Sequence, residues 1–275
     1  MNIKRIAIIG TGSMGSAILG GLLKSGFNPD NVSVSTKSTA SAERLADELG
    51  VLSFAMENGE DANQMAVAGA DVVVIAVKPA YVIQTLADVA DSLDDDALVI
   101  SVAAGITTKA MEKTLPDDVA VVRAMPNTPA IVGSAVTGIA AGSRAGKSAI
   151  ETAVQLFQTV GTSIVLDEAK IDALSTISGS GPAYVFYLIE QLTLVAKKMG
   201  FSDAEATQLV NETFLGSAQL LIESGKSPQE LRKQVTSPNG TTEKAITVMS
   251  DAKLEAMFTE ATAAALARAK ELAGE

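Results

Sequence analysis

A glycine-rich segment directly behind the first apolar run is the feature that most constrains the fold of this chain. Gly10-Thr11-Gly12-Ser13-Met14-Gly15 follows Ile6–Ile9 without a break. In a dinucleotide-binding βα unit, the first glycine permits a tight turn, the second lets backbone approach a pyrophosphate, and the third allows close helix packing. We predict a helix over Met14–Lys24, stopping at Gly26, whose free N–H groups face phosphates. The alternative is an ordinary βα turn that binds nothing.

Composition narrows the chemistry that is available to the chain. The 275 residues are 47% hydrophobic, which is enough for a full core and predicts two domains. The chain has no cysteine and no histidine. Disulfides, thiolate zinc sites, a cysteine nucleophile and the commonest acid/base side chain are therefore excluded. Catalysis must rest on hydroxyls, carboxylates, lysine, backbone amides or a cofactor.

Charge and hydropathy patterning narrow the choice of partners. The formal net charge is −11, which opposes binding to nucleic acid or to an anionic membrane, because both require basic patches. No segment has the roughly 18 uninterrupted apolar residues of a membrane span. The N-terminus leads directly into a predicted strand, which leaves no room for a signal peptide. We expect a cytoplasmic protein.

Residues 1–165 alternate between strand and helix patterns. Strands are predicted at Ile3–Ile9, Val32–Ser35, Asp71–Val77, Leu98–Ser101, Val119–Ala124, Ala135–Ile139 and Ser163–Leu166. Helices after the first are predicted at Thr39–Leu49, Asp61–Ala68, Ala80–Leu93, Thr107–Thr114 and Gly146–Val160. The run Asp71–Val77 is mostly β-branched and does not alternate, as in a parallel strand covered on both faces. The pattern predicts an α/β domain with a Rossmann-type doubly wound sheet.

Residues 166–275 carry helix patterns only. The helices are predicted at Pro182–Met199, Ser202–Ser224, Ser227–Val235, Thr241–Met249 and Ala252–Leu272. Pro182, Ser202 and Ser227 stand at positions typical of helix starts. Because an all-helical half with so much apolar surface often buries it against a second copy, we expect an all-α dimerisation domain and a homodimer.

The segment after the second predicted strand bears on cofactor choice. A carboxylate about 20 residues past the glycines selects NAD, whereas small or basic residues admit the 2′-phosphate of NADP. Here the sequence is Ser35-Thr36-Lys37-Ser38, without a carboxylate. Lys37 can attract a phosphate as a point charge. We predict NADP(H), with NAD(H) as the alternative; otherwise Lys37, like Lys78 after the strand at Asp71–Val77, is a solvated surface lysine.

The most distinctive segment of the helical half is Ser237-Pro238-Asn239-Gly240-Thr241-Thr242. Pro238 fixes φ, and either Asn239 or Gly240 can adopt a positive φ. Thr241 and Thr242 then open a helix. Such a bend aims backbone N–H groups at one point, which suits a small carboxylate. The alternative is a capped turn between two helices.

Six segments in order give the chain a specific resemblance that extends over its full length. They are Gly10–Gly15, Ala76-Val77-Lys78-Pro79, Ala103-Ala104-Gly105, Arg123-Ala124-Met125-Pro126-Asn127-Thr128-Pro129, Ser178-Gly179-Ser180-Gly181-Pro182-Ala183-Tyr184 and Ser237–Thr242. In these segments the chain resembles the pyrroline-5-carboxylate reductase family. The resemblance implies hydride transfer from C4 of the nicotinamide to the C=N carbon of a cyclic imine, the last step of proline synthesis.

The resemblance also implies site residues. The residues expected to bind the cofactor are Gly10, Thr11, Gly12, Ser13, Met14, Gly15, Ser35, Thr36, Lys37, Asn63, Val77, Lys78, Pro79 and Ala104. Those expected to bind the small-molecule substrate are Ser237, Asn239, Gly240, Thr241 and Thr242, with the Thr242 hydroxyl on the ring nitrogen. No metal is expected. The resemblance places the site where the nucleotide domain of one subunit meets the helical domain of its partner, and rings of dimers occur among similar proteins.

Three positions in these segments allow more than one interpretation. Extra residues near Glu57 leave Asn58 as a rival to Asn63, although spacing from Ala76 favours Asn63. Asn239 stands where glycine is usual, but asparagine tolerates the same backbone region. The glycines of Ser178–Pro182 are expected to allow helix packing at the dimer interface rather than to bind phosphate.

Three other functions compete with imine reduction. A 3-hydroxyacid dehydrogenase would have a lysine followed four residues later by asparagine, but Lys170 and Lys197 lack this partner. A magnesium site like that of ketol-acid reductoisomerase would need clustered carboxylates, for which Glu190 and Glu212 are the candidates. A catalytically silent NADP-binding sensor is the third.

Overall fold

The computed structural model describes residues 3–59 and 61–273, and the first part of the chain forms one eight-stranded sheet. Its strands are β1 (Ile6–Ile9), β2 (Val32–Thr36), β3 (Leu52–Ala55), β4 (Val72–Ile75), β5 (Leu98–Ser101), β6 (Ala120–Met125), β7 (Ala135–Ala141) and β8 (Gly161–Val165). The strand order is β3-β2-β1-β4-β5-β6-β7-β8. Among these eight described strands, β6 and β7 pair antiparallel and the other neighbours pair parallel. The first six strands have the order of a doubly wound dinucleotide-binding sheet, so the predicted fold class is confirmed.

Helices connect the strands and make up most of the rest of the chain. They are α1 (Ser13–Lys24), α2 (Thr39–Leu49), α3 (Ala62–Val67), α4 (Val82–Val89), α5 (Thr108–Glu112), α6 (Lys147–Gln158), α7 (Ile171–Leu174), α8 (Gly181–Lys198), α9 (Asp203–Ser224), α10 (Pro228–Gln234), α11 (Thr241–Asp251) and α12 (Leu254–Ala273). The Ser202 and Ser227 side chains cap α9 and α10, as the sequence predicted, and the structure shows that each cap is a reciprocal capping box. Among the described residues, no helix is long and apolar enough to cross a bilayer.

The strand β4 shows how the sheet organises the core. Val72 and Val74 belong to one buried cluster, whereas Val73 and Ile75 belong to another. Successive side chains of a strand point to opposite faces, so both faces of the sheet are covered. This confirms the interpretation of its β-branched run as a strand that is buried on both sides.

Two strand predictions differ from the structure. The predicted strand Ile3–Ile9 begins at Ile6, because the N–H groups of Lys4 and Arg5 donate to the Asp71 carboxylate at 2.9 and 2.7 Å instead of extending the ladder. The strand β3 was not predicted: it lies at the sheet edge, partly exposed, and offers no continuous apolar pattern. At the other strands and helices the ends shift by a few residues, as is usual for element boundaries.

The chain separates into two compact units. One contains the chain up to Ser180 together with the end of α12 from Ala265, and the other contains Gly181–Ala264. A π-helical turn at Ser175–Gly179, which the sequence did not predict, precedes the division. The predicted domains 1–165 and 166–275 stay a prediction.

Candidate functional site

Four predicted cofactor-binding segments follow parallel strands and therefore lie at the same carboxyl edge of the sheet. Gly10 stands at the end of β1, where its N–H donates to the Ser35 carbonyl oxygen at 3.0 Å. A Cβ at Gly10 would lie 3.0 Å from the Ala76 carbonyl group, and its φ of +89° suits glycine. The glycine loop is thus held between the ends of β2 and β4, at the point where strand order reverses and such sheets bind ligands.

The other two glycines of the loop differ in their surroundings. A Cβ at Gly15 would overlap the Gly10 carbonyl oxygen, so close packing requires glycine there. A Cβ at Gly12 would meet nothing within 4 Å, because Gly12 faces open space as the first residue before α1. The first turn of α1 has neither a side-chain cap nor an acidic residue. The loop therefore fits an anionic pyrophosphate, both sterically and electrostatically.

The end of β2 brings two of the predicted contacts together. The Ser35 hydroxyl donates to Asn63 Oδ1 at 2.6 Å, and both side chains are buried. Thr36 is buried and Lys37 is exposed. The rival Asn58 accepts a hydrogen bond from the Thr39 hydroxyl at 2.7 Å, at the start of α2. This pairing with Ser35 supports Asn63 as the cofactor contact, which stays a prediction.

The remaining predicted contacts follow β4 and β5. Val77 is half-buried beside Gly10, whereas Lys78, Pro79 and Ala104 are exposed. Pro79 opens a short 3₁₀ turn, Pro79–Tyr81, that leads into α4. These residues line the same edge as the glycine loop.

A residue that sequence reasoning missed lies beside this edge. The Glu57 carboxylate accepts a hydrogen bond from the Thr39 N–H at 2.9 Å, and the Glu57 N–H donates to the Lys37 carbonyl oxygen at 3.2 Å. The segment after β2 has no carboxylate of its own, but the structure supplies one from the turn after β3. Because β3 was not predicted, nothing in the sequence placed Glu57 there.

The predicted substrate bend lies in the second unit, between α10 and α11. The Gly240 N–H donates to the Ser237 carbonyl oxygen at 3.0 Å, which closes a turn around Pro238 and Asn239. Asn239 has φ +60°, the conformation in which glycine or asparagine is favoured. The asparagine therefore keeps the backbone geometry that glycine would give.

The bend offers fewer free donors than the sequence suggested. The Asn239 N–H donates to the Glu243 carboxylate at 2.8 Å, so this N–H and that of Gly240 are engaged within the bend. The donors that remain are those in the first turn of α11, which has no side-chain cap. Thr241 is exposed there and Thr242 is half-buried. The open N–H groups of this segment thus lie at the start of α11, and the predicted substrate contacts stay a prediction.

Two other expectations bear on rival functions. Within the described residues, no group of three acidic side chains could hold a metal ion, Glu190 and Glu212 included. The Ser178 carbonyl accepts from Asn127 Nδ2 at 3.0 Å, and a Cβ at Gly179 would lie 3.2 Å from the Met125 methyl group. These contacts pack Ser178 and Gly179 within the first unit. Packing of this segment at a dimer interface stays a prediction.

Comparison with known proteins gives family matches in both parts of the chain. Residues 5–105 match the family "NADP oxidoreductase coenzyme F420-dependent" and residues 168–272 match "Pyrroline-5-carboxylate reductase dimerisation". A pyrroline-5-carboxylate reductase of Pseudomonas aeruginosa is 40% identical over 99% of this chain and 98% of its own. A solved Coxiella burnetii pyrroline-5-carboxylate reductase is 37% identical, with a TM-score of 0.92 over 98% of this chain and 99% of that one. A Plasmodium falciparum pyrroline carboxylate reductase with NADP bound is 24% identical, with a TM-score of 0.84 over 99% and 98% of the two chains, and shares the fold.

The sheet, its glycine loop and the helical second unit define a nicotinamide-dinucleotide oxidoreductase. The full-length identity narrows this class further. The chain belongs to the pyrroline-5-carboxylate reductase family, and its second half matches that family's dimerisation domain, which indicates self-association.

Proposed function

We propose that this chain reduces 1-pyrroline-5-carboxylate to L-proline with NADP(H) as the preferred cofactor and NAD(H) as the alternative. The observation that carries the proposal is the occurrence, in one chain, of the open glycine loop and the Ser237–Thr242 bend, over a full-length match at 40% identity. This reaction needs no histidine, because a protonated cyclic imine is already a strong electrophile.

The first unit holds the cofactor in this proposal. Gly10–Gly15 and the first turn of α1 bind the pyrophosphate, while Ser35, Thr36, Lys37 and Asn63 bind the adenosine half. Val77, Lys78, Pro79 and Ala104 bind along the ends of β4 and β5. When bound, the reduced dinucleotide supplies the hydride that adds to the C=N carbon.

The second unit holds the substrate. The N–H groups of Thr241 and Thr242 anchor the carboxylate at the positive end of α11, and Ser237, Asn239 and Gly240 shape the bend around it. The Thr242 hydroxyl orients the ring nitrogen and follows it as it becomes an amine. A hydroxyl is a poor proton donor near neutral pH, so Thr242 positions the imine rather than protonating it.

The assembly and the domain plan are part of the same proposal. The chain forms a homodimer through its helical domain, residues 166–275, and dimers can join into rings. The substrate bend of one subunit serves the cofactor bound to its partner's domain, residues 1–165. The protein acts in the cytoplasm and binds neither nucleic acid nor membrane, in line with its net charge of −11.

A direct test follows NADPH oxidation by absorbance with 1-pyrroline-5-carboxylate. We expect oxidation that depends on the imine and yields proline. The rival dehydrogenase is tested beside it with 3-hydroxyacids and NADP⁺, where we expect no reduction of the cofactor. Turnover of a hydroxyacid without turnover of the imine would overturn the proposal. Binding of NADPH without either reaction would also overturn it and would favour a catalytically silent NADP-binding sensor.

A further inference from the structure

A carboxylate lies where the proposed cofactor would place its adenosine ribose. We propose that Glu57 is a specificity-determining residue that competes with the 2′-phosphate of NADP(H) and so lets the site accept NAD(H) as well. This inference rests on the proposed cofactor site.

The backbone fixes the position of this carboxylate. Glu57 belongs to a short 3₁₀ turn, Met56–Asn58, that is joined to the start of α2 by three hydrogen bonds. The Glu57 N–H donates to the Lys37 carbonyl oxygen at 3.2 Å, and its carboxylate accepts from the Thr39 N–H at 2.9 Å. Asn58 Oδ1 accepts from the Thr39 hydroxyl at 2.7 Å. The Glu57 side chain is exposed, but its backbone N–H and its carboxylate are both hydrogen-bonded.

The bond to Thr39 occupies a donor that a phosphate would use. The first-turn N–H groups of a helix favour anions, and the loop after the second strand faces the ribose in this fold. At the start of α2, the Ser38 hydroxyl accepts from the Ser41 N–H at 3.3 Å and Glu57 takes the Thr39 N–H. A 2′-phosphate must therefore displace Glu57 or bind beside its negative charge.

The same arrangement suits an unphosphorylated ribose. A carboxylate next to the second strand accepts a hydrogen bond from the ribose 2′-hydroxyl, which is how NAD is selected in this fold. Lys37, which is exposed directly after β2, attracts a phosphate instead. Glu57 and Lys37 thus act in opposite directions on one group of the cofactor, and removal of Glu57 should leave only the attraction.

Calorimetric titration with NADP⁺ and with NAD⁺, without substrate, measures this competition. In Glu57→Gln we expect the Kd for NADP⁺ to fall about tenfold, because a like charge and a competing charge-assisted hydrogen bond are both removed. The Kd for NAD⁺ should stay unchanged or rise. Glu43→Gln is the matched control, since Glu43 is exposed on α2, the helix that begins at Thr39, and it is the Glu57 carboxylate that accepts the Thr39 N–H.

The outcomes separate the inference from the proposed function. A wild-type protein that binds neither dinucleotide refutes the proposed function. If the wild type binds and Glu57→Gln leaves the NADP⁺/NAD⁺ affinity ratio as it was, the specificity role alone is wrong. An equal shift in Glu43→Gln would also overturn it, because general charge would then explain the change. Glu57→Lys, in a second test, should favour NADP⁺ still further.

Discussion

The two compact units differ in how far their apolar side chains are buried. In the first unit, two buried clusters cover both faces of the sheet, and strands such as β4 and β5 are buried throughout. In the second unit, α8 has no buried residue, and Phe186 and Tyr187 are 64% and 60% exposed within the single chain. Large exposed apolar patches mark interaction surfaces.

This contrast separates a unit with a core of its own from a unit with an exposed apolar surface. The buried clusters lie in the first unit, whereas α8 of the second unit offers a face that suits a partner. The exposed face belongs to the segment that matches a dimerisation family. The candidate cofactor site therefore belongs to the unit with an extensive buried core, and the candidate substrate bend to the unit with the exposed apolar helix α8.

The largest effect should follow from a charge on the uncovered face. Leu192 on α8 is 46% exposed in the single chain. In Leu192→Asp we expect monomers and loss of activity, because an unpaired buried carboxylate costs about 3–5 kcal/mol of association free energy. Sedimentation gives the mass, and Glu190→Gln on the same helix is the control. A Leu192→Asp protein that is still dimeric and active would refute the claim that a partner covers this face of α8.

A second test concerns the stability of the first unit. The Arg123 side chain, 2% exposed on β6, lies 2.5 Å from the Asp172 carboxylate and 3.7 Å from that of Glu168. In Arg123→Met the free energy of unfolding should fall by about 3–5 kcal/mol, because two carboxylates lose their buried partner. Denaturant titration measures it. Arg44→Met, which breaks an exposed pair with Glu48, should cost less than about 1 kcal/mol.

A third test separates chemistry from assembly in the second unit. In Thr242→Ala we expect kcat/KM to fall, because the transition state loses one hydrogen bond, which contributes about 1–2 kcal/mol of stabilisation. The mass of the dimer and its stability should not change. Thr247→Ala on the same helix is the matched control, since the Thr247 hydroxyl donates to the Glu243 backbone at 2.9 Å. Equal kinetics in the two variants would remove Thr242 from the site.

The smallest effect concerns acid stability in the second unit. The Ser202 hydroxyl and N–H, which donate to the Glu205 carboxylate, hold the pKa of Glu205 below its usual value. A depressed folded-state pKa contributes stability above the unfolded pKa, and this contribution is lost as pH falls through the folded one. Glu205→Gln should therefore flatten the acid side of a plot of Tm against pH. An unchanged plot would show that the ionisation of Glu205 makes no measurable contribution, since Gln can keep the capping box.

Sequence patterns predicted the parts of the molecule that depend on local chemistry. The glycine loop, the β-branched strand β4 and the serine caps of α9 and α10 each follow from short-range rules. The positive φ at Asn239 follows in the same way from turn chemistry. For these features, the residues that determine the structure are neighbours in the chain.

The features that were missed depend on contacts between distant residues. The edge strand β3 is stabilised by pairing with β2, and Glu57 reaches Thr39 only because that pairing fixes the turn after β3. The Glu243 carboxylate accepts a hydrogen bond from the Asn239 N–H, which is then no longer free to bind a ligand. This contact depends on the side-chain conformation of Glu243, which the sequence pattern does not predict. The roles of the site residues stay predictions, because they concern ligands.

The alternation of β4 between two cores limits how this protein can change in length. One residue inserted into Val72–Ile75 would exchange the side chains that the two faces receive, and both layers would lose their fit together. Insertions and deletions over evolutionary time should therefore be confined to connections such as Met56–Asn58. The packing of the sheet on both faces thus leaves its turns, Met56–Asn58 among them, as the places where the chain length can vary.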